Sequence, residues 1–286
     1  MVNRKNTWFD YANIAFLSLL SLSMLYPFVY MTAVSLSDSA AVLRNEVTVI
    51  PKGFTLFSYK AVLSDINVLR GYRNTILYVV LGTAIALALT ALTAYPLSRK
   101  GLIFGKSVTL MIVFTMLFSG GIIPTFLVVR SLGIMDTIWA MVLPGALSAW
   151  FLFVMRTFFM GIPNELIESG KMDGLNDFGV LLRIVLPLSR SALATISLFV
   201  AVGLWNNFMY ALLYLRSENL FPLQVIIRRL LETGLLTGQM NGGDEEMVDQ
   251  GLKFTTIMVG TLPILLVYPF LQKYFVKGVL IGSVKG

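Results

Sequence analysis

Read for charge alone, the chain falls into six uncharged runs: Tyr11 to Ser37, Asn74 to Ser98, Ser107 to Val129, Thr137 to Met155, Ser191 to Leu215 and Phe254 to Gln272. Each is 19 residues or longer, and a helix needs about 20 to cross the hydrocarbon core of a bilayer. The pattern predicts an all-α membrane protein with six transmembrane helices, near 11–35, 74–98, 107–129, 137–156, 191–215 and 254–273, in a single domain over 1–286. Arg4 and Lys5 precede the first run as they would in a secretory signal. A signal core is only about 7 to 15 residues, however, so this run reads as an uncleaved span. Six spans put both ends on one side. Placing them inside gives the inner segments 12 Lys and Arg against 10 outside, a small bias. The link with Arg99, Lys100 and Lys106 and no acid points the same way, as do Lys273, Lys277 and Lys285 in the tail. Both termini are therefore expected in the cytoplasm.

The outer loops are unequal: Asp38 to Arg73 and Arg216 to Lys253 are long, and Arg130 to Asp136 is short. Within the second long loop, "TGLLTGQMNGGDEEMVDQ" has the Gly, Asn and acidic content of an irregular, exposed excursion. It is either a solvated connector or a contact for an external partner. No internal repeat or low-complexity tract interrupts the chain.

Composition supports lipid as the main solvent. Of 286 residues, 57% are apolar and 13% charged, against about 25% charged in ordinary soluble domains. The absence of Cys and His excludes disulfides, Cys or His metal sites and imidazole or thiolate catalysis. The net charge of +7 comes from basic residues placed singly or in pairs at the edges of apolar runs, the pattern of membrane flanks and not of nucleic-acid binding.

No engine for transport is visible. "GLIFGKS", Gly101 to Ser107, has three residues between its glycines where a phosphate-binding loop needs four, and no strand precedes it, so it reads as a basic turn between helices. Ion-driven carriers usually hold an ionisable group inside the bilayer, and the six runs have none. Intramembrane proteases would need His or Asp there, also missing. Span five instead carries "LWNNFMYALLYL", with Trp205, Asn206, Asn207, Tyr210 and Tyr214. Indole and amide groups need partners that hydrocarbon cannot supply. They serve either as interhelical glue and interfacial belt or as an aromatic, polar lining for a sugar-like solute. Pro27, Pro124, Pro144, Pro263 and Pro269 are expected to break or bend other spans.

The most polar interruption, "NELIESGKMDGLNDFGVLLRIVLP" from Asn164 to Pro187, follows Pro163. Pro in the first turn with Glu165 and Glu168 behind it predicts a helix start, and Gly174 predicts its end. Such a helix is too short and polar for a span. Ser169 and Gly170 are read as a flat patch open to another surface, flanked by Glu168 and Asp173. After a turn at Asn176 and Asp177 the chain returns toward the membrane and stops at Pro187. The residues alone allow either a helix lying on lipid or a docking elbow.

The spacing of Glu168-Ser169-Gly170, Gly174, Ile184 and Leu186-Pro187 resembles the EAA loop of permease subunits in binding-protein-dependent ABC importers, with Ser169 and Gly170 standing where alanines are usual. "MDGLND" is similar to the carbohydrate branch, with Leu175 for an alanine, and "GVLIGSVKG" resembles the tail of maltose-type permeases, with Ser283 for a glycine. "TAYPLSRK", "FSGGIIPTFLVVRSLGIMDT" and "LPILLVYPFLQKYFVKG" extend the likeness to oligosaccharide importers of the lipoprotein-locus group over nearly the whole chain. The resemblance implies the type I importer permease fold in a bacterial cytoplasmic membrane. It makes residues 163–187 a coupling loop, with Glu168, Ser169, Gly170, Asp173, Gly174, Ile184, Leu186 and Pro187 as its ATPase-coupling residues. It sends Gly282, Ser283, Val284, Lys285 and Gly286 into the ATPase dimer. It marks Asn241, Gly242, Asp244 and Glu245 as the contact for an extracytoplasmic sugar-binding protein.

The expected function is a non-enzymatic permease that moves a sugar, an oligosaccharide by preference, by alternating access. Trp205, Asn206, Asn207 and Tyr210 are candidates for the path. The chain holds no metal or cofactor of its own; ATP and Mg belong to two ATP-binding subunits, and a second homologous permease completes the pore. An ion-coupled carrier and a structural scaffold are the alternatives. With no formal charge in the spans, a neutral oligosaccharide fits slightly better than an acidic one.

Overall fold

The computed structural model describes residues 7–99, 101–240 and 250–266, and among them every regular element is helical. In chain order these are α1 Trp8–Ser35, α2 Ser39–Leu43, α3 Phe57–Ser64, α4 Ile66–Ser98, α5 Gly105–Leu117, α6 Ile122–Ser131, α7 Ile138–Val142, α8 Ala149–Met160, α9 Asn164–Met172, α10 Asp177–Leu188, α11 Arg190–Trp205, α12 Met209–Tyr214, α13 Leu223–Met240 and α14 Gln250–Leu266. Contacts divide the chain into two compact units, residues 1–69 with 227–262, and 70–226 with 263–286.

In the first unit α1 is a 28-residue apolar helix, long enough to cross a membrane, whose apolar window buries none of its residues against the rest of the chain. Its hydroxyls bond their own backbone, Ser21 to the Leu17 carbonyl and Thr32 to that of Phe28, which satisfies them where no water is present. Asp10 holds the start by accepting from the Thr7 N–H at 2.7 Å. Only the far end is buried. There Ala33, Val34, Val42 and Val47 form a core with Tyr30 and Phe254, whose rings meet edge-on at 5.8 Å.

The second unit contains the spans that crease. Pro27 and Pro96 sit inside continuous helices, so neither ends its span. The breaks fall elsewhere. The run predicted as one helix over 107–129 is α5 and α6, bent by 117° at Phe118 to Gly121, where Gly121 has φ +83°. Pro124 merely sits in the first turn of α6, where its missing N–H is harmless. The run over 137–156 is α7 and α8 separated at Leu143 to Ser148, with Gly145 at φ +83° beside Pro144. Span five is α11 and α12, interrupted at Asn206, Asn207 and Phe208. Local positive-φ glycines and Asn residues therefore set most of these creases. The second long outer loop also departs from expectation, because α13 runs to Met240 and the backbone from Thr233 on starts as helix.

Candidate coupling elbow and transport cavity

The segment after α8 folds as a helix, a tight reversal and a second helix. Pro163 caps α9, Glu165 lies in its first turn and Lys171 in its last, each on the side favoured by the helix dipole. The end is a Schellman closure: the Leu175 N–H donates to the Gly170 carbonyl and the Gly174 N–H to that of Lys171, both at 3.0 Å, with Gly174 at φ +83°. Gly174 thus ends the helix as its position predicts. Asn176 restarts the chain, its side-chain oxygen accepting from the Gly179 N–H at 2.7 Å.

Within α10 the stretch Leu181–Val185 is a π-turn, closed by the Leu186 N–H donating to the Leu181 carbonyl. Pro187 follows immediately and cannot donate. The wider turn is consistent with the ring being admitted without a clash against the preceding turn. At Ser189 the path bends by 83° into α11.

Ile167 of α9 enters a core with Ala91, Ala94 and Tyr95 of α4, Met155 and Phe159 of α8, Val180, Leu181 and Val185 of α10, and Ala192 and Ile196 of α11. The elbow is therefore anchored to three long helices. Its two small residues divide their roles. Ser169 is exposed. Gly170 is buried, and a Cβ there would stand 2.5 Å from Ile184 Cδ1. The expected flat outer patch is therefore supplied by Ser169, while Gly170 faces inward and lets α9 approach α10 closely. Ile184 and Leu186 are half-buried on the inner side, and Pro187 is exposed. Glu168 and Asp173 face solvent and form no ion pair among the described residues. Lys171 pairs with Asp177 at 2.8 Å, and the hydrogen bond to that carboxylate holds its ammonium above the usual range. A cleft of about 710 Å³ between α4 and α9 is lined by Tyr95, Arg99, Glu168, Lys171 and Asp177 among others.

Toward the other ends of the same helices lies a second cavity, of about 420 Å³. Gly82, Ala86 and Thr90 of α4, Phe151 of α8 and Phe199, Val200 and Gly203 of α11 form its walls, with Ser148, Asn206, Asn207, Phe208 and Tyr210. None of its lining residues is charged. Three of the four path candidates meet here. Trp205 does not line it; its ring lies tilted 59° against Tyr72 at 6.4 Å, and its indole N–H is buried without a partner among the described residues. Asn206 returns its amide to the Val202 carbonyl at 3.0 Å, leaving Asn207 and Tyr210 as the freer polar groups. Phe151 stacks on Phe199 at 6.0 Å, and Tyr210 lies parallel to Tyr214 at 5.6 Å. Flat rings and neutral donors are what a pyranose needs, since its C–H faces pack on rings and its hydroxyls take amide and hydroxyl bonds.

One group of residues was invisible to pattern reading. Asp136, at φ +56°, donates its N–H to the Tyr214 carbonyl at 2.8 Å. Its carboxylate accepts from the Arg216 and Ser217 N–H groups at 2.8 and 2.9 Å and from Ser217 Oγ at 2.6 Å. These donors hold the carboxyl below its usual range, the Ser217 hydroxyl first. From α4, Asn74 Nδ2 donates to the Asn219 carbonyl at 2.7 Å and Tyr78 Oη to that of Leu220 at 2.6 Å. The Thr75 hydroxyl receives the Leu223 N–H at 2.8 Å. Residues 216–223 are thus clamped by four side chains. The only sequence signal is an Asp after Gly133, which favours a left-handed turn. The candidates Asn241, Gly242, Asp244 and Glu245, and the tail Gly282, Ser283, Val284, Lys285 and Gly286, lie outside the described residues.

Known proteins bear on this geometry. The chain is 43% identical over 99% of its length, and over 100% of the relative, to the polygalacturonan/rhamnogalacturonan transport system permease protein YtcP of Bacillus subtilis. It is 44% identical over 97% of its length, and 95% of the relative, to Protein LplC of the same organism. A solved bacterial ABC transporter involved in importing the acidic polysaccharide alginate contains a chain that superposes with a TM-score of 0.87 at 31% identity, covering 96% of this chain and 100% of that one. The architecture is that of a type I importer permease, and nothing in these likenesses supports the ion-coupled alternative. Residues 86–281, which include the elbow and every cavity-lining residue except Gly82, match the family described as the binding-protein-dependent transport system inner membrane component, and this chain is a member of that family of ABC importer permeases.

Proposed function

We propose that this chain is the mechanical half of an oligosaccharide importer, in which α9 is the handle and the α4, α8 and α11 frame carries its motion to the cavity. One observation supports the reading most directly: those three helices bury Ile167 at one end and line the cavity farther along. A packed interior resists compression, so displacement of the elbow is passed along the frame. ATP and Mg bound by two partner ATPases supply the energy, and the equilibrium between inward- and outward-open states shifts only through their differential affinity. Glu168, Ser169, Asp173 and Gly174 form the docking face, with Glu168 meeting a basic group of the ATPase. Ile184, Leu186 and Pro187 set the elbow's inner shape. A second, homologous permease completes the path, an extracytoplasmic sugar-binding protein delivers the cargo to the outer loops, and both termini lie in the cytoplasm. Both contact units serve this single permease domain.

The relatives named for polygalacturonan/rhamnogalacturonan and for alginate favour an acidic oligosaccharide over the neutral one that the uncharged spans suggest. Asn207, Ser148 and Tyr210 would then grip hydroxyls, and the partner permease would meet the carboxylates. The test is uptake and ATP hydrolysis by the importer assembled in proteoliposomes. Glu168→Lys and Gly174→Asp are expected to leave the complex folded and hydrolysing ATP while uptake stops. Unchanged uptake in both variants would remove the coupling assignment. Stimulation of hydrolysis by a binding protein loaded with oligogalacturonide, but not with a neutral oligosaccharide, supports the acidic cargo, and the reverse preference removes it.

A further inference from the structure

The turn that failed as a nucleotide loop has a different chemistry in three dimensions. Gly101 and Leu102 of the turn and Lys106, Leu110 and Val113 of α5 face Arg99, just past the end of α4, and Arg156 of α8 across a groove of about 380 Å³. Among the described residues, three cations and no acid line it. Arg99 stacks over the Tyr95 ring at 4.8 Å, and its Nε and Nη2 are buried without a hydrogen-bond partner among the described residues. Arg156 uses Nε on the Leu97 carbonyl at 2.7 Å, which points the guanidinium to the same place. Among the described residues none of the three cations forms an ion pair; Arg99 also borders the adjoining cleft that holds Glu168 and Asp177, but pairs with neither. An unpaired, half-buried guanidinium is unfavourable unless an anion meets it.

The walls say which anion. Leu110 is 70% exposed along the groove, and the tip of the turn carries Ile103 and Phe104 at 79% and 76% exposure. A site for a soluble anion has no use for such surface, whereas a lipid needs a basic pocket at headgroup level opening onto an apolar channel. We propose that this groove binds one anionic phospholipid, its phosphate held by Arg99, Lys106 and Arg156 and an acyl chain laid against Leu110 and Val113. The site does not depend on the transport reading. The orientation proposed above only adds that the lipid belongs to the cytoplasmic leaflet, where it would steady the α4–α5 turn beside the coupling elbow.

The purified full-length chain in detergent, titrated with dioleoylphosphatidylglycerol, dioleoylphosphatidylcholine or inorganic phosphate and weighed by native mass spectrometry, tests this. One phosphatidylglycerol is expected to be retained in preference to phosphatidylcholine, and millimolar inorganic phosphate should not displace it. Lys106→Gln should weaken retention about fivefold and Arg99→Gln about as much again. Lys106 is exposed at the start of α5, so its variant is expected to fold; helical content by circular dichroism checks Arg99→Gln, and Lys106→Gln decides alone if that check fails. Equal retention of the two lipids, unaltered retention in Lys106→Gln, or displacement by phosphate would each overturn the proposal, the last by making it a soluble-anion site.

Discussion

The elbow and the cavity are built from the same three helices to opposite specifications. At the elbow, Met155, Phe159, Val180 and Val185 are fully enclosed, and even a methyl group on Gly170 would have to move Ile184. At the cavity, four residues from Met155 along α8 and three from Ile196 along α11, Phe151 and Phe199 border open space, and a Cβ on Gly203 would meet nothing within 4 Å. A handle must be incompressible to transmit motion, and a path must leave room for cargo. Two glycines therefore serve contrary ends, Gly170 on the handle closing a gap and Gly203 on the frame keeping one open.

That contrast is most sharply broken by Ile167→Ala. It empties part of the elbow core and should destabilise the protein by about 3 kcal/mol, read as a lowered melting temperature of the purified chain, with coupling lost in the assembled importer. Gly170→Phe should cost about 2 kcal/mol by overpacking. Gly170→Ala should be tolerated, because only the tip of Ile184 has to swing and the helix gains from alanine. Gly174→Ala has space around it but is held at φ +83°, so a cost of about 1 kcal/mol is expected from backbone strain alone. Gly203→Leu should leave melting unchanged and abolish uptake, since it fills the cavity and strains nothing; a large loss of stability there would show that the two ends are packed alike.

The smallest effect concerns the outer clamp. The Asp136 carboxyl is held below its ordinary value by the Ser217 and Arg216 donors. A group with a depressed folded pKa stabilises fully above its unfolded pKa and loses that contribution as pH falls through the folded one. Hydrogen exchange at residues 216–218, taken relative to the intrinsic rate at each pH, should therefore be flat from neutral pH to about 5 and rise only below the ordinary carboxylate range near 4. Asp136→Ala should raise that exchange at neutral pH without altering the elbow.

Much of the elbow was legible from residue types. Pro163, Gly174 and Asn176 act through their own backbone preferences, so a helix, a left-handed stop and a restart can be read without knowing their neighbours. The inward face of Gly170 could not be read this way, because glycine is equally small whether it opens a patch or closes a contact, and only Ile184 across the turn distinguishes the two. The same holds for Trp205, which adjoins Asn206 in the sequence but is turned onto Tyr72. The clamp on residues 216–223 joins Asp136 to partners some 80 positions away, and no local period records such a pairing.

The sequence by itself determined that this chain lives in lipid, that it is helical and that residues 163–187 form a polar elbow. All of these follow from charge spacing and local backbone preference, which act over a few residues. Tertiary structure decided where the apolar runs crease, which of two small neighbours faces out, and that one frame of helices ends in a packed handle on one side and a neutral cavity on the other. Those outcomes depend on which side chains meet across distant segments, and that is a property of packing and not of any single stretch of chain.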